Sequence, residues 1–306
     1  MGESSSLLKK IKRHRVVYAF LAPAVIFSLV FYYTPMVGII MAFEKYDLMK
    51  GMFASPFIGF DNFIKIFSDP NFYNALKNSV GLNVLYIIIS FPLPIAFAIM
   101  IFSLRDGFFK RVTQTISYLP HFVSWVIISG LVYKVLDKNS GIVNILLQTL
   151  NFQPVDFMKN PKLFWMIIIF TSIWKELGWN TIIYLAALSS IDAEQYEAAI
   201  VDGARGWQKL VYITLPGIAP TIRLILIFTI GTVINGNISF DAIYNMRNPF
   251  VASASDTLDY YIYQQGLIRT DFGYSTAMGL MLSIVAFSLV MTSNSISRRI
   301  EGYGAF

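Results

Sequence analysis

Six long apolar runs constrain this chain more than any other feature of its sequence. A helix needs about 20 mostly apolar residues to cross a bilayer core about 30 Å thick, and each run is close to that length or exceeds it. The runs cover residues 16–43, 79–104, 112–132, 163–188, 218–238 and 276–292. The pattern predicts an all-α integral membrane protein with six transmembrane helices, built as a single transmembrane domain over residues 1–306.

The overall composition also indicates a membrane protein. Hydrophobic residues make up 56% of the chain and charged residues only 14%, whereas soluble domains carry roughly 45–50% apolar and about 25% charged residues. A soluble chain of this length would need more polar surface to cover its core. The surplus apolar surface is therefore expected to face lipid.

Cysteine and histidine are scarce, which argues against several kinds of site. The chain has no cysteine, so the sequence offers neither a disulfide framework nor a thiolate metal site. Its two histidines, His14 and His121, are too few for a histidine-rich metal centre. We place His121 near a membrane face and expect it to have a structural role.

The distribution of basic residues predicts the orientation of the chain. Five of them precede the first apolar run, namely Lys9, Lys10, Lys12, Arg13 and Arg15. This position fits the cytoplasmic excess of Lys and Arg in membrane proteins better than a nucleic-acid-binding patch. An even number of spans places both termini on one side, and the C-terminal tail is basic through Arg298 and Arg299. Both termini are therefore expected in the cytoplasm.

One predicted cytoplasmic segment, residues 190–220, is too long and too patterned to be a simple connector. Asp192 can cap a helix that runs to about Val201, and Gly203 suits a left-handed turn after it. A second short helix follows, and we expect Pro216 to end it. The segment is either a helix–turn–helix foot that docks on a partner or a solvated or re-entrant connector.

Polar side chains interrupt the fourth apolar run. A charge in the bilayer centre costs about 2.5–3.5 kcal/mol even on mild scales, so Lys175 and Glu176 should face a cavity or a partner. As neighbours they point about 100° apart on a helix. Glu176 shares a face with Asn180 and Ser172, and Trp179 borders that face. Such groups suit a hydroxyl-rich sugar, although hydrogen bonds between helices explain them equally well.

The cytoplasmic segment also contains a recognisable motif. It reads Glu197-Ala198-Ala199, three residues, Gly203, nine residues, and Ile213-x-Leu215-Pro216. This spacing resembles the EAA loop of bacterial binding-protein-dependent ABC importer permeases. Further similarity lies at GFDNF (59–63), YLPH (118–121) and DAIY (241–244). The chain resembles the maltose-type sugar permeases over nearly its whole length, and most of all their branch that imports oligosaccharides or polysaccharide fragments.

The resemblance implies a type I ABC importer permease fold and two sets of functional residues. In this family the EAA loop couples the permease to an ATPase, which implicates Glu197, Ala198, Ala199, Asp202, Gly203, Leu215 and Pro216. The helix before that loop contributes to the sugar path, which implicates Ser172, Glu176, Trp179 and Asn180. Two asparagines of the fifth run are weaker candidates, Asn235 and Asn237.

The resemblance also implies the partners and the location. A second permease, most simply in a heterodimer, would complete the pore in a bacterial cytoplasmic membrane. An extracellular solute-binding protein would deliver the sugar, and a cytoplasmic ABC ATPase dimer would bind ATP and Mg. The sequence has no G-x-x-x-x-G-K-[ST] phosphate loop, so we expect no enzyme activity and no cofactor in this chain.

Two other functions fit the sequence less well. A self-contained secondary transporter would use the Lys175–Glu176 pair for ion coupling, and should show repeated halves with interrupted helices. The patterned cytoplasmic segment would have no role in it. An intramembrane enzyme would need a catalytic motif such as H-E-x-x-H or G-x-S-x-G, and the sequence contains neither.

Overall fold

The computed structural model describes residues 13–234 and 236–301. Within these residues the regular structure is helical, and pairing between extended segments is limited to one antiparallel bridge, Glu44 with Phe57. The α-helices are α1 Arg15–Ser28, α2 Asp61–Phe67, α3 Pro70–Ser90, α4 Pro92–Ser103, α5 Phe108–Tyr118, α6 Trp125–Val135, α7 Ile142–Thr149, α8 Pro161–Ser189, α9 Ala193–Val201, α10 Gly206–Lys209, α11 Leu215–Gly231, α12 Phe240–Met246, α13 Ala252–Ser255, α14 Leu258–Tyr263 and α15 Phe272–Glu301. The all-α prediction is confirmed.

Shorter helical stretches extend or join these helices. They are π-helical at Leu29–Tyr33, Leu210–Thr214 and Gln264–Ile268, and 3₁₀-helical at Thr34–Phe43, Leu119–Phe122, Phe157–Lys159 and Pro249–Val251. By contacts the described chain divides into two compact units. Unit 1 comprises residues 13–68 and 265–280, and unit 2 comprises residues 69–234, 236–264 and 281–301.

Unit 1 is built on the first long helix. Helical structure runs without a break from Arg15 to Phe43, and α1 has no buried residue. Asn62 ties α2 to the end of this helix, because its Nδ2 donates to the carbonyls of Ala42 (2.9 Å) and Glu44 (3.0 Å).

Unit 2 is organised around α8, the longest helix between residues 69 and 264, with 29 residues. It packs against α3, α4, α5 and α11. The approach to α5 is so close that a Cβ on Gly178 would lie 2.0 Å from the carbonyl oxygen of Ser117. Two apolar clusters surround α8, one including Leu82, Ile128, Phe164, Ile168 and Ile243, the other Ala98, Tyr184, Leu188 and Ile218.

Four helical stretches of the described chain are long and apolar enough to cross a membrane: Arg15–Phe43, Pro70–Ser103, Gly206–Gly231 and Phe272–Ile296. A fifth is added if the bent pair Phe108–Phe122 and Trp125–Val135 counts as one span. The helix over the predicted fourth span, α8, has the length but carries Lys175 and Glu176. The count of six spans and the single-domain organisation stay predictions.

The third apolar run, 112–132, is not the continuous helix that its composition suggested. The helical stretch Phe108–Phe122 meets Trp125–Val135 at an angle of 100°. The backbone is extended at Val123 and Ser124 between them. The ammonium of Lys175 lies against this break, since it donates to the carbonyl oxygens of Pro120 (3.4 Å) and His121 just before it.

Candidate functional site

The segment that was predicted to be cytoplasmic forms the helix and turn that its sequence predicted. Asp192 is the N-cap of α9, and its carboxylate accepts a hydrogen bond from the Glu194 N–H at 3.0 Å. This contact satisfies one of the free N–H groups of the first turn. Gly203 has a φ of +74°, and its N–H donates to the Ile200 carbonyl at 3.0 Å. A residue with a side chain is strained at this φ, which accounts for the glycine.

The chain after the turn differs from the prediction. Pro216 was expected to end a second short helix, but α10 continues through the π-helical stretch Leu210–Thr214 into α11. Pro216 lies in the first turn of α11, beside Leu215. Proline removes one N–H from the hydrogen-bond ladder there, and the π-helical stretch lies just before it. The result is one helical stretch from Gly206 to Gly231.

We call the segment from Asp192 to Leu210 the foot, and most of its side chains are exposed. Among the predicted coupling residues, Glu197, Ala198 and Asp202 are exposed and Ala199 is half-buried. Large apolar side chains lie exposed beside them, namely Ile200, Val201 and Trp207. A contact between the Tyr196 hydroxyl and Thr214 Oγ1 (3.0 Å) fixes α9 to the stretch after the turn. Exposed apolar groups with acidic neighbours on a rigid support are typical of a docking surface.

The predicted sugar-path residues fall into two groups in the structure. Glu176, Asn180 and Asn237 line one cavity of about 340 Å³. The walls of this cavity come from α3, α4, α8, α11 and the turn after α11. Its lining residues are Tyr86, Ser90, Phe91, Pro94, Glu176, Asn180, Ile183, Tyr184, Ile225, Thr229 and Asn237. We call it the polar cavity.

The other candidates lie elsewhere. Ser172 is buried and does not line the polar cavity. Trp179 also lies outside the lining, and its ring stacks on that of His121 with centroids 4.3 Å apart and planes 1° from parallel. One face of the indole is therefore already covered. Asn235 lies outside the described residues.

Asn237 is not part of the fifth helix, where it was predicted. That helix ends at Gly231, and Asn237 follows a turn in which Gly236 has a φ of +92°. The turn is held by Asn83 of α3, a buried residue that the sequence analysis missed. Its Oδ1 accepts from the N–H groups of Asn237 (2.8 Å) and Ile238 (3.1 Å). Asn83 therefore positions one wall of the polar cavity.

His121 is the second residue that the sequence analysis missed as part of this site. Its Nδ1 lies 2.7 Å from Glu176 Oε2, within hydrogen-bond distance of the carboxylate. Lys175 lies on the other side, with Nζ 3.6 Å from Glu176 Oε1. The charged ends of Lys175 and Glu176 thus meet, although their Cα–Cβ bonds diverge. The only sequence signal for His121 was its place in the YLPH motif.

Comparison with known proteins gives the family. The sequence model of the family described as "Binding-protein-dependent transport system inner membrane component" matches residues 90–302. The chain belongs to this family. It is a transport permease of the inner membrane type, and the suspected relationship to ABC importer permeases is confirmed. Membership favours the importer over the self-contained secondary transporter.

Individual relatives match this permease along most of their length. It is 37% identical to "Protein LplB" of Bacillus subtilis (strain 168), with 100% of this chain and 95% of the relative covered. The polygalacturonan/rhamnogalacturonan transport system permease protein YteP of the same strain is 36% identical, with 98% and 93% covered. The arabinooligosaccharides transport system permease protein AraP, also of that strain, is 30% identical, with 94% and 90% covered.

Two solved structures show the same fold. A chain from the crystal structure of a bacterial ABC transporter involved in the import of the acidic polysaccharide alginate superposes with a TM-score of 0.89 and is 39% identical, with 97% of this permease and 99% of that chain covered. A second structure contains the bacterial alginate transporter in complex with an alginate pentasaccharide-bound periplasmic protein (TM-score 0.89, 38% identity, the same coverage). The predicted permease fold of an ABC importer is confirmed.

Proposed function

We propose that this permease passes an oligosaccharide or polysaccharide fragment into the cell as half of an ATP-driven pore. The observation that carries the proposal is the polar cavity, in which Glu176, Asn180 and Asn237 from separate parts of the chain converge. Its volume of about 340 Å³ lies in the range of ligand pockets. A second permease subunit would enlarge the path.

The chemistry of the lining supports a sugar as the cargo. Sugar rings carry hydroxyl groups at their edges and apolar C–H groups on their faces. Glu176 offers acceptor oxygens, and Asn180 and Asn237 offer both donors and acceptors. Tyr86, Phe91 and Tyr184 supply aromatic surface in the same cavity. The relatives named above carry acidic as well as arabinose-based saccharides, so relationship supports a saccharide without fixing its charge.

The partners follow from the family and the foot. A cytoplasmic ATPase dimer binds ATP and Mg and receives the exposed surface of the foot. A second permease completes the pore in a heterodimer. An extracellular solute-binding protein delivers the sugar, as the complex of the alginate importer supports. The permease works in a bacterial cytoplasmic membrane with both termini inside.

Reconstitution with single components left out tests the proposal. Proteoliposomes that hold both permeases and the ATPase dimer should accumulate oligosaccharide only with ATP inside and the loaded solute-binding protein outside. Omitting any one of the four proteins, or the ATP, should abolish uptake. Accumulation driven by a proton or sodium gradient without ATP would overturn the proposal in favour of a secondary transporter.

Orientation is tested separately with single cysteines, because the chain has none of its own. Ser190 and Met49 are both exposed. Ser190→Cys should react only with a reagent that enters the cytoplasm, and Met49→Cys with an impermeant reagent outside. The reverse labelling would place the foot on the wrong side for an ATPase.

A further inference from the structure

We propose that the polar cavity selects uncharged saccharides over acidic ones, and that Glu176 is the residue responsible. The inference rests on the proposed function and narrows its substrate class. Among the eleven residues that line the cavity, Glu176 alone carries a charge. An acidic sugar that enters this half of the pore therefore meets a carboxylate and no cation among the lining residues.

The basic groups near the cavity are turned to other partners. Lys175 does not line the cavity and is only 5% exposed. Its ammonium is bound to the Pro120 and His121 carbonyls at the break in the third apolar run. Arg223 of α11 is not in the lining either, and its Nε donates to the Ala219 carbonyl at 3.0 Å. Lys175 Nζ also lies 3.6 Å from Glu176 Oε1, behind the carboxylate, but neither Lys175 nor Arg223 is among the residues that line the cavity.

Two side chains hold the Glu176 carboxylate in place. His121 Nδ1 contacts Oε2 at 2.7 Å, and Lys175 Nζ lies 3.6 Å from Oε1. The ring of His121 is fixed in turn by its stacking on Trp179. A carboxylate held in this way accepts hydrogen bonds from sugar hydroxyls without having to reorganise.

An acidic saccharide needs a different set of groups. Carboxylates are usually bound by Arg or Lys through charge-assisted hydrogen bonds. The cavity instead offers amides and hydroxyls, which are uncharged donors, and one carboxylate. An ionised carboxylate only accepts hydrogen bonds and cannot donate to a second ionised carboxylate. Two like charges in a partly buried site also repel each other more strongly than in water. Neutral rings are therefore the better fit.

Matched saccharides that differ only in charge test the inference. The free acids of oligogalacturonides and oligomannuronates are compared with their fully methyl-esterified forms. The assembled importer carries Ile183→Cys, a lining position, and N-ethylmaleimide labelling of this chain is read from its own band on a gel. The methyl esters should slow the labelling at concentrations about tenfold below those of the free acids.

Variants then assign the effect to Glu176. In the Ile183→Cys background, Glu176→Gln should bring the free acids to within about threefold of the esters. Asp241→Asn removes the same charge from an exposed residue outside the cavity and should leave the tenfold ratio unchanged.

The outcomes separate the two proposals. Free acids that protect as well as the esters, or a ratio that Glu176→Gln does not change, would overturn the charge selection and leave the proposed function standing. If none of the saccharides protects Ile183→Cys, the cavity is not the sugar path, and the proposed path and the inference fall together.

Discussion

The foot and the polar cavity both belong to unit 2, and each contains a glutamate that the sequence singled out. Glu197 of the foot is exposed, and the foot takes its shape from local contacts, a capping carboxylate and a glycine turn. Glu176 of the cavity is held by side chains more than fifty positions away in the chain or adjacent to it. We therefore expect Glu197 to affect transport through a docked partner, whereas Glu176 also contributes contacts to the fold.

This difference decides how each region should respond to mutation. Exposed side chains away from special contacts usually change stability by less than about 0.5 kcal/mol. A foot variant should therefore lose transport without losing the folded chain. A variant of Glu176 removes a partly buried ion pair as well as the proposed contact with the sugar, so stability and transport have to be measured together.

The largest effect is expected at the foot. Proline cannot adopt the φ of +74° found at Gly203, so Gly203→Pro should distort the turn that supports α9. We expect uptake to fall about 50-fold, which is within the roughly 5- to 150-fold range that coupling between two sites typically spans. Glu197→Ala should lower uptake less, about tenfold, because it leaves the backbone intact. Uptake and ATPase activity of the reconstituted importer give the measurement.

A matched carboxylate provides the control for the foot. Asp106 is exposed in the short connection between α4 and α5, and it pairs with Lys110 of α5 at 2.9 Å. With the N-terminus in the cytoplasm and two predicted spans before it, this connection is expected on the cytoplasmic side as well. Such surface pairs contribute about 0–1 kcal/mol, so Asp106→Ala should leave uptake unchanged. Normal uptake by Gly203→Pro and Glu197→Ala would show that the foot does not couple this permease to the ATPase.

A smaller effect is expected in the cavity. Glu176→Gln keeps the shape and one acceptor oxygen but removes the charge that His121 and Lys175 contact. Uptake of a neutral sugar per assembled complex should fall about five- to tenfold, less than the loss of a whole charged hydrogen bond, because the Gln side chain keeps one acceptor oxygen. If Glu176 only holds helices together, the melting temperature should fall while each assembled complex transports normally.

A variant of Trp179 tests whether the support of Glu176 matters for uptake. Because its ring covers His121, Trp179→Ala should lower uptake by loosening the support of Glu176. The control is Trp174→Ala in the same helix, which removes an exposed indole from an apolar groove rather than from the polar cavity. Equal losses of uptake per complex in both variants would contradict a specific role for Trp179.

The two regions also differ in how far the sequence could predict them. The foot was predicted almost residue by residue, because a capping Asp192 and a Gly203 turn are encoded within a few positions. The error at Pro216 was local too: proline is tolerated in the first turn of a helix, so its presence did not require the preceding helix to end.

The cavity could be predicted only in part. The spacing of Glu176 and Asn180 placed them correctly on one wall. Composition alone could not show that the third apolar run breaks by 100°, because an apolar average over a run does not locate a bend within it. That break places His121 against Glu176, and it gives Lys175 two carbonyls to bind. Contacts of this kind depend on packing between distant segments, which a single sequence does not encode locally.

The smallest effect is expected at Asn83, and it asks whether a residue that never lines the cavity shapes it. Asn83→Ala removes the acceptor of two backbone N–H groups, those of Asn237 and Ile238. Leaving such buried groups unpaired costs about 1–3 kcal/mol. Uptake per assembled complex should fall about two- to threefold, because Asn237 keeps its contacts with Thr229 and Thr232 and the turn loosens without being lost.

Asn78 provides the matched control for this last prediction. It is a buried amide in the same helix, but its Nδ2 donates to the carbonyls of Ser253 (3.0 Å) and Asp256 (3.1 Å), away from the cavity. Asn78→Ala should lower the melting temperature by a similar amount and leave uptake per complex unchanged. If the two variants lower uptake equally, Asn83 acts on transport only through general stability. If only Asn83→Ala does so, the turn after α11 is a positioned wall of the sugar path, and the cavity depends on distant contacts in a way that the foot does not.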